Sequence, residues 1–391
     1  MTTHLSKITL FSIMKFPTFK LEEYFSHSEF KASYLMGSSD AESFSLQEIL
    51  ALADDDTRSI WETLRLGYTE VQGSPLLRNE IAHLYPGLQA DNILCFAGGE
   101  EAIFCTFLSL LNKETHAIVV TPCYQSLHTL ALSFAGSVTT IALDEAQGWK
   151  LDLDKVKDAI RPNTTLIIFN SPNNPTGALL NEDEVKNLID IASSHDIYIF
   201  SDEAYRLLGR SSLTWDAPVA SLYPKAISLS VMSKAFGMAG LRIGWIATQN
   251  KELLKSIEFT KHYTSICNSG LSEVVSLIAL RAKDIVLKRN CEIIDNNLSI
   301  LDNFFGDNHT RFSWVHPSGG CVGLVTFNIA TPIDIFAQEL LDNTGVLIIP
   351  GSIFDIEGNT FRIGFGRKNF PEALEKFETY VNRYAKESSY S

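Results

Sequence analysis

A lysine and an arginine sit eight residues apart in S-V-M-S-K-A-F-G-M-A-G-L-R-I-G-W, residues 230–245 of this chain. The apolar run from Ala226 to Met232 leads into Ser233 and Lys234, so the lysine is expected at the end of a buried strand. An amine placed there loses its hydration unless chemistry or a partner neutralises it. A desolvated amine is suited to forming a Schiff base with a carbonyl, and the planar fork of Arg242 is suited to a phosphate. Gly237 and Gly240 let the backbone fold closely around a bound group. An isolated S-K pair would read as a surface lysine after an edge strand; the residues around this one favour chemistry.

Other candidates lie where short apolar runs end. F-A-G-G-E-E-A-I-F (96–104) takes a strand into Gly98-Gly99 and then a helix, whose free amides and dipole make an anion cradle. Tyr124 in T-P-C-Y-Q-S could stack on a planar ring, although a lone tyrosine is more often core. N-S-P-N-N-P-T-G (170–177) enforces a tight irregular turn, yet a turn alone does not need two consecutive asparagines before proline. In Y-I-F-S-D-E-A-Y, Asp202 either caps a helix E-A-Y-R-L-L or holds a cationic ring nitrogen, with Tyr205 on the same helix face. F-R-I-G-F-G-R places Arg362 on a strand, where it is either a structural ion pair or a carboxylate clamp, with Arg367 as a competitor.

Taken together, these stretches resemble the class I/II aminotransferases, the fold-type I enzymes that use pyridoxal 5′-phosphate. By that resemblance Lys234 carries the cofactor as a Schiff base and acts as base and acid. Asp202 pairs with the pyridine nitrogen, while Asn174 and Tyr205 reach its phenolic oxygen and Tyr124 stacks on the ring. The phosphate would be held by Arg242, the amides of Gly99 and Glu100, Ser233, and Tyr68 from a neighbouring subunit. Arg362 would clamp the substrate α-carboxylate, and Asn174 is expected to contact the substrate as well. The segment Lys261 to Ser269 is expected to border the partner's site, and H-P-S-G-G at His316 is similar to the family's small-domain turn. Two positions depart from the family. Val231 stands where many relatives have a phosphate-binding hydroxyl, which Ser233 or Ser230 could replace. Glu100 stands where a small or hydroxyl residue is common, and a carboxylate beside a phosphate must turn away. The pairing of G-G-E-E-A-I-F with V-M-S-K-A-F-G is also similar to the branch containing capreomycidine synthases, which use the cofactor for a β-replacement cyclisation.

These residues need a scaffold that brings strand ends together. The 391 residues are long enough for two domains. Apolar runs at 93–96, 117–120, 165–169, 197–200, 226–231 and 242–247 alternate with helical patterns such as 101–111 and 183–193. That alternation predicts an α/β fold, a mainly parallel sheet wrapped by helices, with ligands at the carboxyl ends of the strands. A helical stretch at 272–301, short strands and a terminal helix at 371–384 predict a smaller α+β domain. The expected division is 1–45 as an arm joining the small domain, 46–255 as the large cofactor domain and 256–391 as the small domain. Within the arm little periodicity is visible; Ser45 is expected to cap a helix, and Pro75 to open another.

Composition excludes some classes. A net charge of −14 argues against nucleic-acid binding. Six cysteines without C-x-x-C spacing read as buried free thiols and support neither a disulfide framework nor a metal site. No signal peptide and no membrane-length apolar run is recognised, so a cytoplasmic enzyme is expected, and the resemblance adds a homodimer with shared sites. The expected function is an aminotransferase moving an amino group between an amino acid and a 2-keto acid. Its alternatives are a pyridoxal-phosphate elimination, replacement or cyclising enzyme, and a non-catalytic binding protein on the same fold. No second arginine is placed for a distal carboxylate, so the substrate side chain stays open.

Overall fold

The computed structural model describes residues 16–208 and 217–388. Its larger sheet has seven strands: β1 (Ile93–Phe96), β2 (His116–Thr121), β3 (Ser137–Ala142), β4 (Thr164–Asn170), β5 (Tyr198–Asp202), β6 (Ala226–Val231) and β7 (Gly244–Ala247). They run in the order β1-β7-β6-β5-β4-β2-β3, all parallel except β7, which is antiparallel to both neighbours. Alternate side chains feed opposite faces. Leu166, Ile168, Phe200 and Leu229 pack under the helices Gly99–Leu110 and Lys251–Lys261, while Ile167, Phe169 and Ile199 pack under Glu182–Ser194. Covering both faces is what makes these strands read as continuous apolar runs.

Some expectations are corrected. β3 has no apolar run because it is an edge strand whose residues, all but Ile141, are partly buried or exposed. The strand expected from Arg242 starts at Gly244; Arg242 itself adopts a left-handed conformation, φ 52°, after the turn Ala239–Leu241. The single stretch 272–301 is two helices, Gly270–Arg281 and Lys283–Asp307, parted at Ala282. Instead of a helix E-A-Y-R-L-L, a turn ending in the 3-10 segment Arg206–Leu208 follows β5. Ser45 and Pro75 behave as expected: Ser45 forms a capping box with Glu48, and Pro75 opens the helix Pro75–Ala82.

A smaller antiparallel sheet follows: β8 (Phe312–Trp314), β9 (Val322–Phe327), β10 (Ile349–Pro350) and β11 (Thr360–Gly364), in the order β10-β11-β9-β8. Phe312, Phe327, Phe336 and Phe377 form its aromatic core, with Phe312 stacked on Phe327 at 4.4 Å. Each such ring contributes about 1.5–3 kcal/mol by burial.

The N-terminal segment is more ordered than its sequence suggests. A helix at Lys20–Ser28 packs Leu21 against Leu341, Leu347 and Phe354 beside the smaller sheet. Beyond it the chain passes so close to β11 that a Cβ on Gly364 would lie 1.7 Å from the Ser38 carbonyl oxygen. A Cβ on Gly366 would meet that of Asp40 at 2.3 Å. The glycines of F-R-I-G-F-G-R are therefore required by close passage of backbone. Residues 37–40 are thereby held between the two sheets.

Candidate active site

The carboxyl ends of β2, β4, β5 and β6 open on one cavity of roughly 590 Å³, closed on its far side by the N-terminal segment. Lys234 follows β6. Its amine is partly buried and donates to the hydroxyl of Ser39 at 2.9 Å. Burial holds this ammonium below the ordinary lysine range, opposed first by the charge of Asp40. Asp202 ends β5 and is 6% exposed. Burial pushes its carboxyl up to about 6, against the amide of Ala204, which donates to it at 3.1 Å, and the charge of Lys234.

The two consecutive asparagines of N-S-P-N-N-P-T-G have assigned work. Asn173 donates to the carbonyl of Pro122 at 3.0 Å and accepts from Thr176, which ties the turn to the end of β2. Asn174 faces the cavity and accepts from Arg362 at 2.9 Å. Asn170 supports both neighbours: it donates to the Asp202 carbonyl at 2.9 Å and accepts from the Asn174 amide at 2.6 Å. The P-x-G-G turn docks here as well, since the amides of Ser318 and Gly319 donate to the Gly177 carbonyl. His316 faces Asp302 at 3.3 Å and does not line the cavity.

One end of the cavity is built for an anion. The helix Gly99–Leu110 begins there, and Ser233 and Arg242 line the same wall. Gly98 has φ 102°, and a Cβ on it would lie 2.4 Å from an Arg242 guanidinium nitrogen, so glycine is needed for the arginine to approach the helix start. Val231 fills the place of the missing hydroxyl by packing on Gly99, where an added Cβ would meet it at 2.7 Å. Ser233 lines the cavity; Ser230 lies on the opposite face of β6 from Val231 and does not. Glu100 turns toward Ser126, from whose hydroxyl it accepts, and leaves its other oxygen buried without a hydrogen-bond partner among the described residues. Burial pushes this carboxyl up, toward the neutral form that a neighbouring phosphate tolerates. Helix amides, Ser233 and Arg242 at one end and the buried acid Asp202 at the other fit pyridoxal phosphate.

Tyr124 lines the cavity, donates to Glu22 at 3.3 Å and packs against Phe19 at 5.3 Å. Tyr205 is buried and donates to the Ser39 carbonyl at 2.8 Å; Gly320 packs on its ring. Arg362 has no exposed surface: two of its nitrogens donate to the Gly37 carbonyl, at 3.1 and 2.7 Å. Arg367 instead holds both oxygens of Asp40 at 2.9 Å. Tyr68 is not brought to the cavity and is 93% exposed. Sequence reasoning missed Ser39, Asp40, Glu22 and Glu29, which belong to the N-terminal wall. The only available signal was G-S-S-D at residues 37–40, which reads as a turn.

The family model for aminotransferase class I and II matches residues 45–377. An aspartate aminotransferase of Rhizobium meliloti is 26% identical over 341 residues, covering 81% of this chain and 82% of its own. A capreomycidine synthase of Streptomyces vinaceus is 26% identical over 356 residues, covering 89% of each. Among solved structures, a PLP-dependent aminotransferase from Streptococcus suis superposes with a TM-score of 0.89 at 31% identity, covering 94% of this chain and 98% of that one. With its cavity at the strand ends and its family match over most of its length, this chain belongs to the class I and II aminotransferases and is a pyridoxal-phosphate-dependent enzyme of that family.

Proposed function

We propose that Lys234 is the residue through which this aminotransferase holds its cofactor and moves protons between an amino acid and its 2-keto acid. The observation that carries this reading is the convergence of Lys234, Asp202, Asn174 and Arg242 on one cavity. When bound, pyridoxal phosphate supplies a carbonyl that accepts the amino group and a ring that accepts electrons. Asp202 would keep the ring nitrogen protonated, with Asn174 and Tyr205 at the phenolic oxygen and Tyr124 against the ring. Arg242, Ser233 and the amides of Gly99 and Glu100 would hold the phosphate. Arg362 would orient the amino acid through its α-carboxylate, displacing the Gly37 carbonyl that now occupies its fork. The Lys234 amine, freed by the incoming amino acid, would take the α-proton and return it one carbon away.

The same proposal divides the chain into an arm at 1–45, a large domain at 46–255 and a small domain at 256–391. It also includes a cytoplasmic homodimer with shared sites. Leu66, Tyr68, Tyr263 and Ile266 support the dimer: these large apolar side chains are exposed near one another, with Thr69 bonded to the Asn268 carbonyl. Tyr68 would then reach the neighbour's phosphate site.

The capreomycidine synthase relative favours a second reading, elimination or replacement by the same residues. Absorbance of the cofactor-loaded protein with a panel of amino acids tests both. Stoichiometric conversion of the cofactor to its amine form with release of keto acid is expected. Release of ammonia or of a β-substituent without that conversion would select the second reading. Lys234→Ala should abolish the lysine-dependent absorbance band, and an unchanged band would refute the role of Lys234.

A further inference from the structure

Most charged groups around the cavity have an occupation. Asp40 is paired with Arg367, Arg362 with the Gly37 carbonyl and Asn174, and Arg242 stands at the anion end with the helix start. Two carboxylates on the N-terminal wall remain. Glu22 and Glu29 line the cavity from the helix Lys20–Ser28 and the residue that ends it. They lie seven residues apart with Phe25 between them, a spacing that puts all three on one helix face. Glu22 stands at the exposed rim, where it accepts from Tyr124. Glu29 is half-buried, and its carboxylate makes no hydrogen bond or ion pair among the described residues. Burial, then the charge of Asp40, push its carboxyl up; the charges of Arg367 and Lys234 oppose this without reversing it, and a cation brought against the carboxylate would stabilise its charged form. Phe19 and Phe25 beside these acids supply apolar and aromatic surface. Carboxylates over aromatic faces suit a cationic head on an aliphatic stem. Among the described residues the cavity's lining cations are Lys234 and Arg242, both assigned to the cofactor, while Arg362 is assigned to the α-carboxylate and Arg367 is paired with Asp40, so no further cation is placed for a distal carboxylate.

We propose that this site selects amino acids with a cationic side chain, ammonium or guanidinium, and that Glu29 is the specificity-determining residue, with Glu22 at the rim. The proposal rests on the aminotransferase reading of the cavity. It implies that the keto acid product keeps its cationic head, so the enzyme consuming it must also accept a positively charged substrate.

Two measurements on the cofactor-loaded full chain test it. The first compares kcat/KM for L-arginine, L-lysine, L-norleucine and L-glutamate as amino donors. The second measures by calorimetry the binding of 5-guanidinopentanoate, 6-(trimethylammonio)hexanoate, hexanoate and glutarate, none of which carries a primary amine that could condense with the cofactor. At least one cationic ligand should exceed its neutral counterpart by about tenfold or more in both measurements, roughly one charge-assisted hydrogen bond. Arginine against lysine tells guanidinium from ammonium. Glu29→Gln should lower the cationic-to-neutral ratio by about tenfold, and Glu29→Asp, which keeps the charge, should retain part of it. A preference for norleucine or glutamate, or a ratio indifferent to Glu29→Gln, overturns the proposal and leaves the aminotransferase reading standing. Glu29-dependent binding of the cationic ligands without transamination of any donor supports the proposal and overturns that reading instead.

Discussion

The amine of Lys234 donates to the hydroxyl of Ser39 at 2.9 Å, joining the end of β6 to the N-terminal segment. The same serine accepts from Tyr205 through its carbonyl, at 2.8 Å. One residue of the arm therefore engages two side chains of the site. A hydroxyl that accepts from the ammonium stabilises the charged form of the lysine.

Ser39→Ala removes that acceptor and keeps the backbone contact to Tyr205. Burial already holds the Lys234 ammonium below its ordinary range, and loss of the hydroxyl should lower it further. Only the free amine combines with the cofactor carbonyl. The expected result is a pH profile for pyridoxal phosphate association that moves to lower pH, with association several-fold faster at neutral pH. Stopped-flow absorbance on cofactor-free protein measures it, and a profile identical to the parent's would show that Ser39 does not influence the amine.

Arg362 is a second point where the arm meets the site. Its fork spans the Gly37 carbonyl and Asn174, a geometry lysine cannot reproduce. Arg362→Lys should lower kcat/KM by about tenfold to a hundredfold, corresponding to one or two charge-assisted bonds. Because Gly37 and Asn174 also lose donors, the thermal midpoint should fall. A loss of kcat/KM with an unchanged midpoint would mean that the arm does not depend on this arginine.

Asp202 gives a pH-dependent stability. Its ordinary value is 3.8 and its folded value is about 6, so the native protein retains a proton that the unfolded chain has released. Stability in the cofactor-free protein therefore falls as pH rises from about 4 to 6, and the full cost, on the order of 3 kcal/mol, persists above that window. Asp202→Asn removes this cost. The cofactor-free variant should melt above the parent at pH 7 and together with it near pH 4. Calorimetric melting between these limits checks the sign; a variant less stable than its parent at pH 7 would refute it.

Sequence patterns exposed the strand ends well, for a reason visible in the sheet. β4, β5 and β6 are covered on both faces, so their apolar runs are continuous, and each leads directly into Asn170, Asp202 or the lysine stretch. β3 escaped because an edge strand, S-V-T-T-I-A, keeps polar residues facing outward. The N-terminal wall escaped for a different reason. Ser38, Ser39 and Glu22 acquire their places from contacts with β11, Lys234 and Tyr124, more than ninety residues away in sequence, and no local periodicity records such contacts. Glu100 was legible as an anomaly, and only the fold shows how it is accommodated, through Ser126 and burial.

That accommodation makes Glu100 the most discriminating position at the anion end. Its carboxyl is pushed up by burial, which outweighs the hydrogen bond from Ser126, and one oxygen has no hydrogen-bond partner among the described residues. While protonated it is a neutral neighbour for a phosphate. Once ionised it adds a negative charge beside Arg242 and the helix start, and like charges in a partly buried site repel strongly. Cofactor affinity of the parent should therefore weaken as pH rises through the raised carboxyl range. Glu100→Gln is nearly isosteric and stays neutral, so its affinity should match the parent's at low pH and exceed it at higher pH. Fluorescence titration of cofactor-free protein with pyridoxal phosphate reads the two curves. Curves that stay parallel across the whole range would mean that Glu100 does not ionise beside the phosphate, and a weaker Gln variant at high pH would mean that the carboxylate assists binding.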